Sequence, residues 1–186
     1  MRTIKTKDLT ITAILIAIGV IIPILFHTFY ISGKIFLPMH IPVILCAMVC
    51  GPFLGSISAL SVVFISSLFT GIPPLFPVAT IMSLELVAYA LVSSILFKVF
   101  YKKYNLLLSL YLSLIIAMLA GRAVLGITSA FIFEYFYDGY SLNAFLSAAF
   151  VTALPGIIIQ LVLIPRLVIT LKKANIIALS NKAQTE

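Results

Sequence analysis

Charge is what this chain has least of. Only 9% of its 186 residues are Asp, Glu, Lys or Arg, five of them acidic, where soluble domains carry roughly 25%. With 63% hydrophobic residues and a mean hydropathy of +1.27, a polytopic membrane protein is the class that fits. So few carboxylates exclude a proton relay with several stations. The chain also lacks GxxxxGK[ST], HExxH, paired CxxC and GxSxG, so ATP hydrolysis and the hydrolytic chemistries those motifs serve are not expected. No enzyme, cofactor or metal site is expected. Cys46 and Cys50, one helical turn apart with no His or Cys partner, read as small core hydrophobes. Tryptophan is absent, which leaves ring stacking on any ligand to Phe or Tyr.

What is present is a series of apolar spans with basic ends. The first apolar stretch is too long for a cleavable signal peptide and lacks a small-residue cleavage site. The expected architecture is an all-α six-transmembrane-helix bundle, a single membrane domain over 1–186. Its spans are read at 9–32, 36–50, 53–70, 76–98, 106–133 and 141–171. Arg2, Lys5, Lys7, Lys98, Lys102, Lys103, Lys172, Lys173 and Lys182 fall on one side. Lys34 alone falls in a loop on the other, which holds Glu134 and Asp138. By the positive-inside rule both termini are cytoplasmic. The net charge of +7 is thereby a topology signal, and no nucleic-acid partner is expected. No internal repeat is visible, which argues against inverted-repeat carriers.

The organising stretch is Phe36 to Phe76, two apolar spans hinged at Gly51-Pro52 and closed by Gly71-Ile72-Pro73-Pro74. Pro38, His40 and Pro42 make its entrance irregular. Non-helical backbone and an ionisable group at membrane depth are tolerated only in protein or along a cavity, so this stretch reads as the wall of a site.

Two charges lie inside spans. Glu85 falls about 13 Å and Arg122 about 17 Å below the outer ends of their spans at about 1.5 Å per residue. They are level, and either form a structural ion pair or a site in which Arg122 binds a substrate carboxylate and Glu85 orients it. His40, near the extracellular mouth, reads as a pocket-lining group, with His27 a weaker candidate. Asn143, Tyr89 and Phe76 complete the substrate-binding candidates on polarity and burial. Aromatic loops after spans one, three and five form either a headgroup belt or lids over a cavity. Ala13 and Ala17 form a small-residue stripe that lets another helix approach closely.

The pattern resembles the substrate-binding S component of energy-coupling factor (ECF) vitamin transporters over residues 8–172. The carrying features are the Ala13-to-Ala17 stripe and Phe36-Leu37-Pro38-Met39-His40-Ile41-Pro42-Val43 followed by Cys50-Gly51-Pro52. The Pro/Phe loop before span four and the GRAVLG stretch around Arg122 add to them. The resemblance implies a high-affinity binding subunit of an ABC-type importer in a bacterial cytoplasmic membrane. It would hold a small water-soluble vitamin near the outer face and work with a transmembrane T component and two cytoplasmic ATPases. Ala13 and Ala17 would contact the T component. Arg122 favours a carboxylate vitamin such as pantothenate, with vitamin B6 or hydroxymethylpyrimidine next. The competing expectation is a self-sufficient secondary carrier or channel for a small polar solute.

Overall fold

A computed structural model describes residues 4–29, 33–137 and 141–174. Among these residues every regular element is helical. They are α1 (Thr6–Thr28), α2 (Gly33–Phe36), α3 (His40–Cys50), α4 (Pro52–Thr70), α5 (Thr80–Tyr101), α6 (Leu106–Tyr137), α7 (Leu142–Leu146) and α8 (Leu154–Lys173). Wide turns at Leu75–Ala79 and Ser147–Thr152 lead into α5 and α8. Five helices are long and apolar enough to cross a bilayer. Their outward faces carry large apolar side chains such as Ile14, Leu68, Leu84, Leu119 and Phe131. Water would not tolerate so continuous an apolar surface, whereas lipid matches it. The chain is a multi-pass helical membrane protein.

The centre of the bundle is a short apolar helix. α3 has 11 residues, of which Pro42 to Cys50 are all buried, and it packs against α1, α4, α5 and α8. At 1.5 Å per residue it is about 16 Å long, roughly half the bilayer's hydrocarbon core. The sequence suggests a span running from Phe36. Instead α2 ends there, Leu37 takes a positive φ of 51°, and α3 begins only at His40. Pro38 accounts for the break, since it has no N–H to give and disfavours helical backbone in the residue before it.

At the other end of α3, Gly51 adopts φ 104° and ψ 173°, a conformation open to glycine and strained for other residues. Pro52 then starts α4 at a position where its missing N–H costs nothing. The returning helix passes so close that a Cβ on Gly55 would lie 2.5 Å from the Ala47 Cβ. Small residues are what allow this approach.

Contacts at one end of the bundle bring the start and finish of the described chain together. The Cys50 thiol donates to the Asp8 carbonyl at 3.6 Å, and Lys172 Nζ donates to the Tyr101 hydroxyl at 3.0 Å. A Cβ on Gly51 would meet Lys98 Nζ at 3.7 Å, which joins the two contacts into one end. The thiols of Cys46 and Cys50 are buried in the α1–α3 seam, Cys46 pointing at Thr12 Oγ1 over 3.5 Å.

At the far end the α4–α5 connection is held by side chains. Ser67 Oγ donates to the Pro73 carbonyl at 2.6 Å and Thr70 Oγ1 to Ile72 at 3.0 Å. Ile72-Pro73 and Phe76-Pro77 are both cis. Phe76 is extended, with φ −128° and ψ 135°, and the Ala79 N–H bonds across it to the Pro74 carbonyl at 2.9 Å.

α6, with 32 residues, is about 48 Å long and outruns the hydrocarbon core by more than 15 Å. Asn105 caps its start by accepting from the Leu108 N–H at 2.9 Å. It pairs along its length with α5 and only lightly with α8. The last span was expected as one helix broken by prolines. It is a short α7, a wide turn, and α8 with Pro155 in its first turn and Pro165 inside.

Candidate functional site

Four of the six substrate-binding candidates converge. Glu85 and Tyr89 are one turn apart on α5, which places them on one face. Arg122 comes from α6 and His40 from the first turn of α3. Exposures are 1% for His40, 2% for Glu85, 1% for Tyr89 and 5% for Arg122. Arg122 Nη1 donates to Glu85 Oε1 at 2.9 Å. His40 Nε2 stands 3.7 Å from the same oxygen, too far for a hydrogen bond. The His40 ring sits edge-on to Tyr89, centroids 5.2 Å apart at 79°.

Gly121 makes this assembly possible. A Cβ there would lie 2.5 Å from the Tyr89 ring, so the missing side chain is the space the ring occupies. Tyr89 thus lies on the α6 backbone beside Arg122, and α5 and α6 come close enough for the ion pair to form.

His40 is not at a mouth. Because α3 is half-length, its first residue lies at the depth of Glu85 and Arg122. One carboxylate therefore faces a guanidinium and an imidazole.

The hydrogen-bond ledger is incomplete. Nε and Nη2 of Arg122 and both ring nitrogens of His40 are buried without partners. A buried polar group left unmade costs about 1–3 kcal/mol, more if charged. Nε and Nη2 project from one edge of the guanidinium as a side-on fork, the pair that grips a carboxylate in bidentate fashion. Glu85 uses only Nη1, so that fork is free.

Gln160 is a residue the sequence does not single out as a site candidate. It is 1% exposed, and both its amide atoms lack partners. It belongs to the buried stripe Gly156, Gln160, Ile164 and Val168 of α8, whose four-residue spacing defines one face. A polar residue on the buried face of an apolar helix was the signal, but the register of a span broken by a wide turn hid it.

The remaining candidates lie elsewhere. Phe76 is 49% exposed, its ring edge-on to Phe136 at 5.2 Å, which ties the α4–α5 turn to the far end of α6. Asn143 is exposed on α7. Ala13 and Ala17 are on the exposed face of α1, opposite the buried Asp8, Thr12, Leu15 and Gly19. The side chain of His27 and residues 30–32 and 138–140 of the aromatic loops lie outside the described residues. No group of three potential metal ligands occurs among the described residues.

No curated protein and no solved structure matches the chain. The family model described as ECF transporter, substrate-specific component, matches residues 7–168.

Proposed function

The chain belongs to the substrate-specific components of ECF transporters, binding subunits rather than engines, and from there we propose that it captures a small vitamin-like carboxylate at Arg122. The observation that carries this is the free side-on fork of a guanidinium that is 5% exposed and already charge-paired through its third nitrogen. A lone ion pair would satisfy Glu85 and leave that fork with no purpose. A carboxylate accepts two short charge-assisted bonds there. In this reading Glu85 holds Arg122 in orientation, the His40 ring offers hydrogen-bonding nitrogens beside the carboxylate, and Tyr89 forms a rigid wall. Phe76 and Asn143 act from the lid side. Pantothenate is the first compound to assay, and vitamin B6 and hydroxymethylpyrimidine are the next.

The orientation follows the positive-inside rule, with both termini cytoplasmic in a bacterial cell membrane and α2–α3 acting together as the sixth crossing. Uptake requires a transmembrane T component and two ATPases, as in ECF systems. Ala13 and Ala17, on the outward face of α1, form the docking stripe for the T component, since two alanines one turn apart let a partner backbone approach.

Native mass spectrometry of the purified protein is the test. A co-purified or added carboxylate vitamin that stays bound, and is lost in Arg122→Gln, is the expected result. A protein that binds none of the vitamin panel, yet moves solute alone in liposomes, would overturn the assignment in favour of a self-sufficient carrier.

A further inference from the structure

Buried polar atoms without partners concentrate on three side chains. Of the eight such atoms among the described residues, two belong to Arg122, two to His40 and two to Gln160. Arg122 and His40 already have a place in the site. Gln160, 1% exposed on α8, has none.

Three contacts fix the level at which Gln160 stands. Lys172 Nζ donates to the Tyr101 hydroxyl at 3.0 Å, which registers α8 against α5 at the end they share. Both helices run toward that end, so counting twelve residues back along each, about 18 Å, arrives at Gln160 on α8 and Tyr89 on α5. The His40 ring lies edge-on to that tyrosine at 5.2 Å. The second contact is at Gly156, where a Cβ would lie 2.7 Å from the Ile35 carbonyl oxygen and 2.9 Å from that of Phe36. The buried stripe of α8 thus faces the chain leading into α3, and Gln160, one turn further along that stripe, faces the turn that begins with His40. Thirdly, Ile157 and Leu161, which neighbour Gln160 on α8, border Arg122 across the α6–α8 seam. Arg122 therefore meets the same turn of α8 from α6.

We infer that Gln160 is a specificity-determining residue of this site, and that the substrate is a carboxylate whose body carries an amide or hydroxyl group for it to read. The inference rests on the proposed role of Arg122 and deepens it. A guanidinium only donates and a carboxylate only accepts, so that pairing does nothing for a group with both needs. The Gln160 side chain presents an acceptor and a donor together, and a neutral imidazole presents one of each. An amide or a hydroxyl can answer in both senses, whereas an alkyl body would leave Gln160 and His40 buried and unmatched. Sites built to hydrogen-bond a substrate reject the analogue that lacks the group much more strongly than apolar pockets reject an extra methylene. Helix packing does not account for the residue. Polar side chains that fasten membrane helices bond across to a neighbour, and Gln160 makes no such bond, while Ile164 and Val168 fill the same stripe with apolar groups.

The test is isothermal titration of the full chain in phosphatidylcholine nanodiscs with pantothenate and two acids of matched length. N-acetyl-β-alanine carries an amide; hexanoate has methylenes in its place. Wild-type protein is expected to bind N-acetyl-β-alanine at least about tenfold more tightly than hexanoate. Gln160→Met, similar in length and apolar, should weaken pantothenate and N-acetyl-β-alanine by at least about tenfold and leave hexanoate unchanged. Gln160→Leu repeats the test, and thermal unfolding of both variants checks that they fold. Equal binding of the two acids by the wild type would overturn the inference; if Arg122→Gln then abolishes both, the proposed function stands. A preference for the amide that survives in both Gln160 variants would also overturn it. So would an equal loss of all three probes in a folded variant, which would make Gln160 a structural residue. Failure of all three carboxylates to bind the wild type would overturn both the inference and the proposed function.

Discussion

Replacing Arg122 separates its two roles, holding α5 to α6 and holding a ligand. In Arg122→Met, Glu85 keeps a carboxylate that is 2% exposed and loses its 2.9 Å donor. Removing one member of a buried pair costs about 3–5 kcal/mol, and at roughly 2–4 °C per kcal/mol for a chain of this length the melting temperature should fall by about 6–20 °C. In the double variant Glu85→Met with Arg122→Met, both charges are gone. An apolar replacement of a buried pair is often neutral or stabilising, so stability should return to within a few degrees of wild type. Binding should not return. Two charge-assisted hydrogen bonds at about 1.5–3 kcal/mol each correspond to at least about a hundredfold in affinity. The assay is thermal unfolding in detergent beside titration with the carboxylate identified by native mass spectrometry. A double variant with wild-type affinity would show that the pair only fastens helices, and the ligand role of Arg122 would be refuted.

Other residues give narrower tests. Gly121→Ala sets a Cβ 2.5 Å from the Tyr89 ring; overpacking of this kind costs about 1–3 kcal/mol, so both melting temperature and ligand affinity should drop, and an unchanged affinity would remove Tyr89 from the site. Ser67→Ala deletes the 2.6 Å bond to the Pro73 carbonyl, worth about 1 kcal/mol. Limited proteolysis should then cut the α4–α5 turn faster, with the helices still protected. Ala17→Trp, on the exposed face of α1, should spare binding by the isolated protein and abolish uptake when T component and ATPases are co-expressed; loss of both together would remove the docking role from α1.

Much of the fold is written in one-dimensional features. Long apolar runs, few charges and basic ends reveal membrane helices because lipid leaves the backbone no partner outside the helix. The level depths of Glu85 and Arg122 follow from counting residues along α5 and α6, and the two side chains meet at 2.9 Å. Where counting needs an unbroken helix it fails. His40 was placed near a mouth because the span was counted from Phe36, whereas the chain stays irregular through Met39 and carries His40 down to Glu85. The wide turn Ser147–Thr152 does the same to the last span. It shifts the register that would have marked Gln160 as inward-facing. Both are three-dimensional consequences of local backbone choices that apolar composition does not encode.

Those two irregularities also explain why an ionisable cluster is affordable in so apolar a chain. A full-length helix in place of α3 would have carried its positive N-terminal end out to the headgroups. Stopping it at half that length brings His40 to the depth of Glu85 and Arg122. One carboxylate meets only one of the three guanidinium nitrogens, and the other two remain unmet. In low dielectric such an imbalance is expensive, and water has little access to a cluster whose four members are each 5% exposed or less. In the proposed reading an acceptor-rich anion would supply the missing hydrogen-bond partners. The half-length helix and the free fork then form one arrangement, which the proposed carboxylate would complete.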